Sequence, residues 1–122
     1  WNRPGGRKKK WEAGHELYER AVGVYREFAL ARAALSVVNG WMHMARHDVS
    51  PSRLERQREE AEAALRLAPE LPQAHVAMGL WHYWGRRDYE RALEELQVAL
   101  AETPNDPWLW QVVAAVHRRM GN

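Results

Sequence analysis

The feature that most limits how this chain can fold is a segment that returns. "AALRLAPELPQAH" at 63–75 resembles "VALAETPNDPWLW" at 98–110, and both run from a helix end through proline into the next helix. Ala64 and Ala99 are 35 residues apart, and so are Pro69 and Pro104. A period near 34 residues with two helices per unit indicates stacked helical repeats. Each helix pair carries more apolar surface than it can bury alone, so neighbours must stack.

The chain between these landmarks reads as helix. Ala, Leu, Glu and Arg dominate and β-branched residues are sparse, which favours helix over strand. Turn signals divide it into six expected helices near 9–24, 28–44, 51–68, 71–85, 88–102 and 106–120. Ser50 is placed to cap the third, with Pro51 at the first helical position, where a missing N–H costs nothing. Gly85 is expected to end the fourth helix and Asp88 to cap the fifth. Asp106 caps the sixth, with Pro107 following. Ala92, Leu93, Leu96, Ala99 and Leu100 fall on one face of the fifth helix. The fourth is apolar on two faces, one with Val76, Leu80 and Tyr83 and one with Ala77, Met78 and Trp81, so it must touch two neighbours.

At this point the chain resembles the tetratricopeptide repeat family. The likeness is best over 72–104. Met78 and Gly79 fall at the family's large-then-small pair, and Ala92, Leu96, Ala99 and Pro104 match the second helix and its terminating proline. The interval from Gly79 to Ala92 is one residue longer than usual, and the extra residue is expected in the "GRRD" turn. A weaker copy has Leu35 and Ser36 in its first helix and Ala64 and Pro69 at its end, with an insertion in "MARHDVSPS". Gln57 stands where the family has a small residue. Gly14, Tyr18 and Ala21 fit the second helix of an earlier unit, with Arg26 in place of proline. The expected organisation is a flexible lead-in over 1–8 and a repeat domain over 9–122. Its parts are a partial unit 9–26, a weaker unit 27–69, the best unit 70–104 and a partial unit 105–122. The implied fold is all-α: antiparallel helix pairs stacked as a short right-handed α-solenoid. "FALARAAL" and "LRLAPELPQAHVAMGLWHYWGRRDYERAL" further resemble helical arrays of bacterial signalling proteins associated with adenylate/guanylate cyclases and serine/threonine kinases.

The resemblance implies a function as well. In that family the concave groove is lined by the first helix of each pair. The register then places Val76, Leu80, Tyr83 and Trp84 on this surface, joined by Trp108, Gln111, Ala115, Arg118 and Arg119. Rigid aromatics beside arginines suit a peptide, because they bury area at low entropic cost and pair with carboxylates. Trp81 and Trp110 are expected in the core, between helices. His75 and His82 are expected as partly buried packing residues.

Other chemistry finds little footing. There is no cysteine, serine is scarce, and no Gly-rich loop follows a strand, so the chain reads as a non-enzyme without a cofactor. His43 and His47 have a metal-ligand spacing but no third ligand beyond Asp48, and no metal is expected. The formal net charge is +2, and "RKKK" at 7–10 holds every lysine. Elsewhere arginines and acids interleave, as in "RLERQREEAEAALR", which reads as a solvated helical face rather than a phosphate-binding stripe. No apolar run approaches the length of a membrane span. The expected setting is therefore cytoplasmic, with a protein or peptide as partner and no membrane or nucleic acid. The competing readings are an RNA-binding pentatricopeptide-like array, whose period is similar, and a structural or dimerisation region of a larger bacterial signalling enzyme. Trp108, Leu109, Trp110, Val112, Val113 and Val116 make the last helix apolar on two faces. Self-association through that C-terminal helix is therefore expected, unless further residues of a longer protein cover it.

Overall fold

The computed structural model describes residues 4–45 and 50–121. Among them the protein is all-helical: α1 (Pro4–Met44), α2 (Pro51–Leu67), α3 (Pro72–Leu80), a π-helical segment (Trp81–Arg86), α4 (Tyr89–Glu102) and α5 (Pro107–Arg119). Five α-helices stand where six were expected. The first two are one continuous helix, because the "YRE" at 25–27 contains neither glycine nor proline to stop it. α1 also begins inside the expected lead-in, at Pro4, a residue well tolerated in a first helical turn.

The caps follow the sequence. The Ser50 side chain accepts from the Arg53 N–H at 3.4 Å, and Asp88 and Asp106 accept from the N–H groups of Arg91 and Leu109 at 3.3 and 3.2 Å. Pro51, Pro72 and Pro107 each stand in a first turn. The end of the fourth helix differs from expectation. Gly85 does not terminate it; residues 81–86 widen into a π-helix, and Arg87 takes the left-handed conformation at φ 53°. A π-helical turn holds one more residue than an α-helical turn. The chain leaves this wider turn at "RRD", where the Asp88 N–H closes onto the His82 carbonyl at 2.9 Å.

Two cores hold the helices. The first joins Ala29 and Ala33 of α1, Ala61 and Ala64 of α2, the Ala68–Leu71 turn, and Ala74 and Ala77 of α3. Seven alanines and one leucine leave little side chain between backbones, so these helices approach closely. Val37, Leu65, Leu67 and Met78 seal the edges. The second core joins Ala92, Leu93, Leu96 and Ala99 of α4 to Leu109, Val113 and Val116 of α5. Polar contacts set the position of α1 on α2. Along α1, Arg26, Arg32, Ser36 and Asn39 meet Glu70, Glu60, the Gln57 carbonyl and Arg53 in turn. The partner numbers fall as those of α1 rise. Arg58 lies between Glu55 and Glu62 on the outer face of α2, the solvated charge run that the sequence suggests.

His75 ties three parts together. Its Nδ1 is 2.7 Å from a Glu95 carboxylate oxygen on α4, and its Nε2 is 2.6 Å from the Pro69 carbonyl between α2 and α3.

Candidate interaction grooves

An apolar groove of about 450 Å³ runs between α1, α3 and α5. Leu30, Ala33, Ala34, Val37 and Val38 form one wall, Gln73 and Val76 the floor, and Asp106 and Trp108 the far rim. The local sequence sets this rim. With Asp106 as cap and Pro107 in the first turn, Trp108 opens the helix with its indole exposed. The neighbouring Leu109 turns inward and is buried in the second core.

A second, more polar cleft of about 330 Å³ lies near the other ends of the same elements. Met44, Tyr83, Trp84, Arg87, Tyr89 and Arg119 line it. The π-helical widening sets the angular positions of Tyr83 and Trp84. Tyr83 meets Tyr89 edge-on with ring centroids 6.0 Å apart. Trp84 lies over Gly40 of α1, where even a Cβ would stand 2.9 Å from the indole. Arg87 joins the lining from a left-handed backbone, a conformation costly for a residue with a Cβ.

The residues expected on one surface are therefore divided between two depressions. Val76 and Trp108 line the apolar groove, and Tyr83, Trp84 and Arg119 the polar cleft. Gln111 and Arg118 are exposed on α5, and Ala115 is half-buried; none of the three lines either depression. Leu80 is fully buried. It offers no surface to a ligand, because its side chain is enclosed where α3 passes into the π-helical segment. Trp110 departs from expectation in the opposite sense: it is exposed, and its indole N–H donates to the Pro104 carbonyl at 2.7 Å, bracing the turn before α5. Trp81 is half-buried beside His82 and Arg86. His82 is buried, and that burial pushes its imidazole below the ordinary histidine pKa.

The α1 wall escaped the sequence reading. Its signal was present: 28–44 was expected as the first helix of the weaker unit, and carrying the groove register back from Met78 and Gly79 to Leu35 and Ser36 reaches Ala33 and Val37. Arg87 and Tyr89 gave no such signal, since their placement depends on the widened turn.

The last helix also differs from expectation. Val113 and Val116 are buried and Val112 is half-buried against α4 within a single chain. Of the residues expected to leave α5 apolar on its outer side, Trp108 and Trp110 remain exposed. His47 and Asp48 lie outside the described residues, and the described residues contain no group of three metal-capable side chains. No described helix is long and apolar enough to cross a membrane. In comparisons with known proteins, no family model, no curated protein and no solved structure matches the chain.

Proposed function

We propose that the chain is a protein-interaction module of the tetratricopeptide type that holds an apolar peptide segment in the groove between α1, α3 and α5. In this reading residues 29–44 of α1 pair antiparallel with α2, α3 and its π-helical extension pair with α4, and α5 opens a further unit. The falling order of residues met along α1, from Glu70 just beyond α2 through Glu60 and Gln57 to Arg53, supports the first pairing.

The observation that carries the proposal is the shared order of the groove linings. Residues 30–38 of α1 lie with Gln73, Val76 and Trp108, while Met44 lies with Tyr83, Trp84 and Arg119. In this reading the two depressions are successive parts of one inner surface, to which the first helix of each pair contributes in the same direction, as in a stacked repeat array. Apolar walls with an exposed indole at the rim suit an apolar anchor, and the arginine-bearing cleft suits a carboxylate further along the same ligand. A scaffold within a cytoplasmic bacterial signalling polypeptide is the setting that fits this module. RNA binding is less well supported, because the groove is aliphatic and carries Asp106 at its rim.

Selection from a displayed random-peptide library tests the reading. Ala34 is exposed and lines the groove, so Ala34→Arg fills it without entering the core. The expected result is enrichment of peptides with an apolar anchor on the parent chain and their loss on Ala34→Arg. Equal recovery on both, or enrichment on neither, refutes the proposal.

A further inference from the structure

The first half of α1 runs on beyond the point where Arg26 meets Glu70, and its aromatic side chains are left bare. Trp11, Tyr18, Tyr25 and Phe28 are 77%, 69%, 55% and 59% exposed. Their spacing is regular. Trp11, Tyr18 and Tyr25 recur every seven residues, and Gly14, Ala21 and Phe28 recur every seven residues between them. Those are the two inward positions of a coiled-coil heptad. Leu17 and Val24 flank this seam on one side and Val22 on the other, and all three are exposed. Phe28 lies beside, not on, the line of Ala29 and Ala33 that α2 covers.

The seam alternates large and small. Nothing lies within 4 Å of where a Gly14 Cβ would be, and the missing side chain leaves a hollow between Trp11 and Tyr18, rimmed by Lys10 and His15. Such a surface complements itself in one direction only. Laid antiparallel on a second copy, Gly14 faces Tyr25, Ala21 faces Tyr18 and Trp11 faces Phe28, so that each tyrosine enters a hole left by a small residue. Leu17 then flanks Val24 of the other copy. A parallel pair would stack Trp11 on Trp11 and Tyr18 on Tyr18, with empty layers at Gly14 and Ala21. The area is sufficient: a fully buried aromatic removes about 150–250 Å². At the exposures above, four per chain with their aliphatic flanks come to roughly 1,000 Å² or more across both copies, the lower bound for a specific interface.

We propose that the 11–28 segment of α1 is a homodimerisation surface, closed by the same segment of a second copy running antiparallel. This assigns self-association to α1 rather than to the C-terminal helix.

Sedimentation velocity on the full 122-residue chain tests it. The parent is expected as a concentration-dependent dimer. Tyr18 is exposed, so Tyr18→Glu leaves the single-chain packing intact and places two charges in the interface. Dimer affinity should fall at least about a hundredfold, with far-UV helicity retained. Gly14→Leu fills the hole that receives Tyr25 and should also weaken the dimer, although nothing near Gly14 in one chain opposes it. The chain has no cysteine, so Lys9→Cys carries a single spin label. Antiparallel copies separate the two labels by roughly 30 Å along the helix axes. A parallel pair brings them level, within about 20 Å. The proposal is overturned by a monomer at every concentration, by a dimer indifferent to Tyr18→Glu, or by labels held level. It is overturned equally by an oligomer that dissociates on replacing Trp108 and Trp110 but not Tyr18, and by a different protein shown to occupy this seam while the chain alone stays monomeric.

Discussion

Gly79 of α3 lies so close to Leu96 of α4 that a Cβ on the glycine would stand 2.9 Å from the leucine Cγ and 3.3 Å from the Ala92 carbonyl oxygen. Both Leu96 and Ala92 are fully buried, so neither can move aside into solvent. The contact explains why a glycine, a poor helix former, sits inside a helix: it lets two backbones meet.

Gly79→Ala is accordingly expected to destabilise the protein by about 1–2 kcal/mol, the overpacking cost outweighing the helix propensity that alanine adds. Ala99→Leu, at another fully buried α4 position, should cost roughly 1–3 kcal/mol for the same reason. Urea unfolding measures both. A Gly79→Ala variant as stable as the parent would show that α3 and α4 are not in this register.

Gln57 leads to the opposite expectation. It is fully buried in α2, and neither its amide nitrogen nor its amide oxygen has a hydrogen-bond partner. Its carbonyl on the main chain does accept from Ser36 Oγ at 2.7 Å, which any residue at 57 would preserve. Gln57→Met keeps the length of the side chain and removes the two unpaired polar atoms. A gain of about 1–2 kcal/mol is expected in urea unfolding, and a loss of stability would mean that the amide is satisfied in solution.

The stability should depend on pH through His82. Its imidazole is held below the ordinary value of 6.5, chiefly because burial disfavours the charged ring. Above pH 6.5 the ring is neutral in both the folded and unfolded chain and contributes nothing. As pH falls below 6.5 the unfolded chain takes up the proton first, so stability is lost, at up to about 1.4 kcal/mol per pH unit for this one site. His82→Phe should remove that share of the decline. Thermal melts of the two proteins at pH 7.5 and 5 give the comparison, and parallel declines would exclude His82 as a source.

For the groove, Trp108→Ala should weaken a selected peptide by about tenfold or more while leaving the melting temperature almost unchanged, since the indole is exposed at the rim. Arg119→Gln should weaken acidic ligands at low salt, with an effect that fades as salt is added, because the guanidinium is exposed. Trp84→Ala should behave differently and lower stability, since that indole packs on Gly40. Fluorescence titration and melting of the three variants separate affinity from folding. Unfolding by Trp108→Ala would return that residue to the core.

By itself the sequence determined the helical class and the starts of α2, α4 and α5, while the resemblance to tetratricopeptide repeats pointed to the close contact at Gly79. Each of these rests on residues within one turn of one another or on a repeat interval: a capping Ser or Asp, a proline in the first turn, a small residue at fixed spacing. What tertiary structure decided is which apolar residues remain in view. Leu80 and Trp110 carry similar local signals, yet Leu80 is enclosed and Trp110 braces a turn in solvent. Val113 and Val116 read as an unpartnered face until α4 covers them, while the bare face proves to be that of Trp11, Tyr18 and Tyr25. Periodicity tells a residue which side of its helix it occupies; whether another helix arrives on that side depends on contacts distant in sequence. The π-helical turn at 81–86 belongs to the same class, because no local signal in "WHYWGR" distinguishes it from an ordinary helix end.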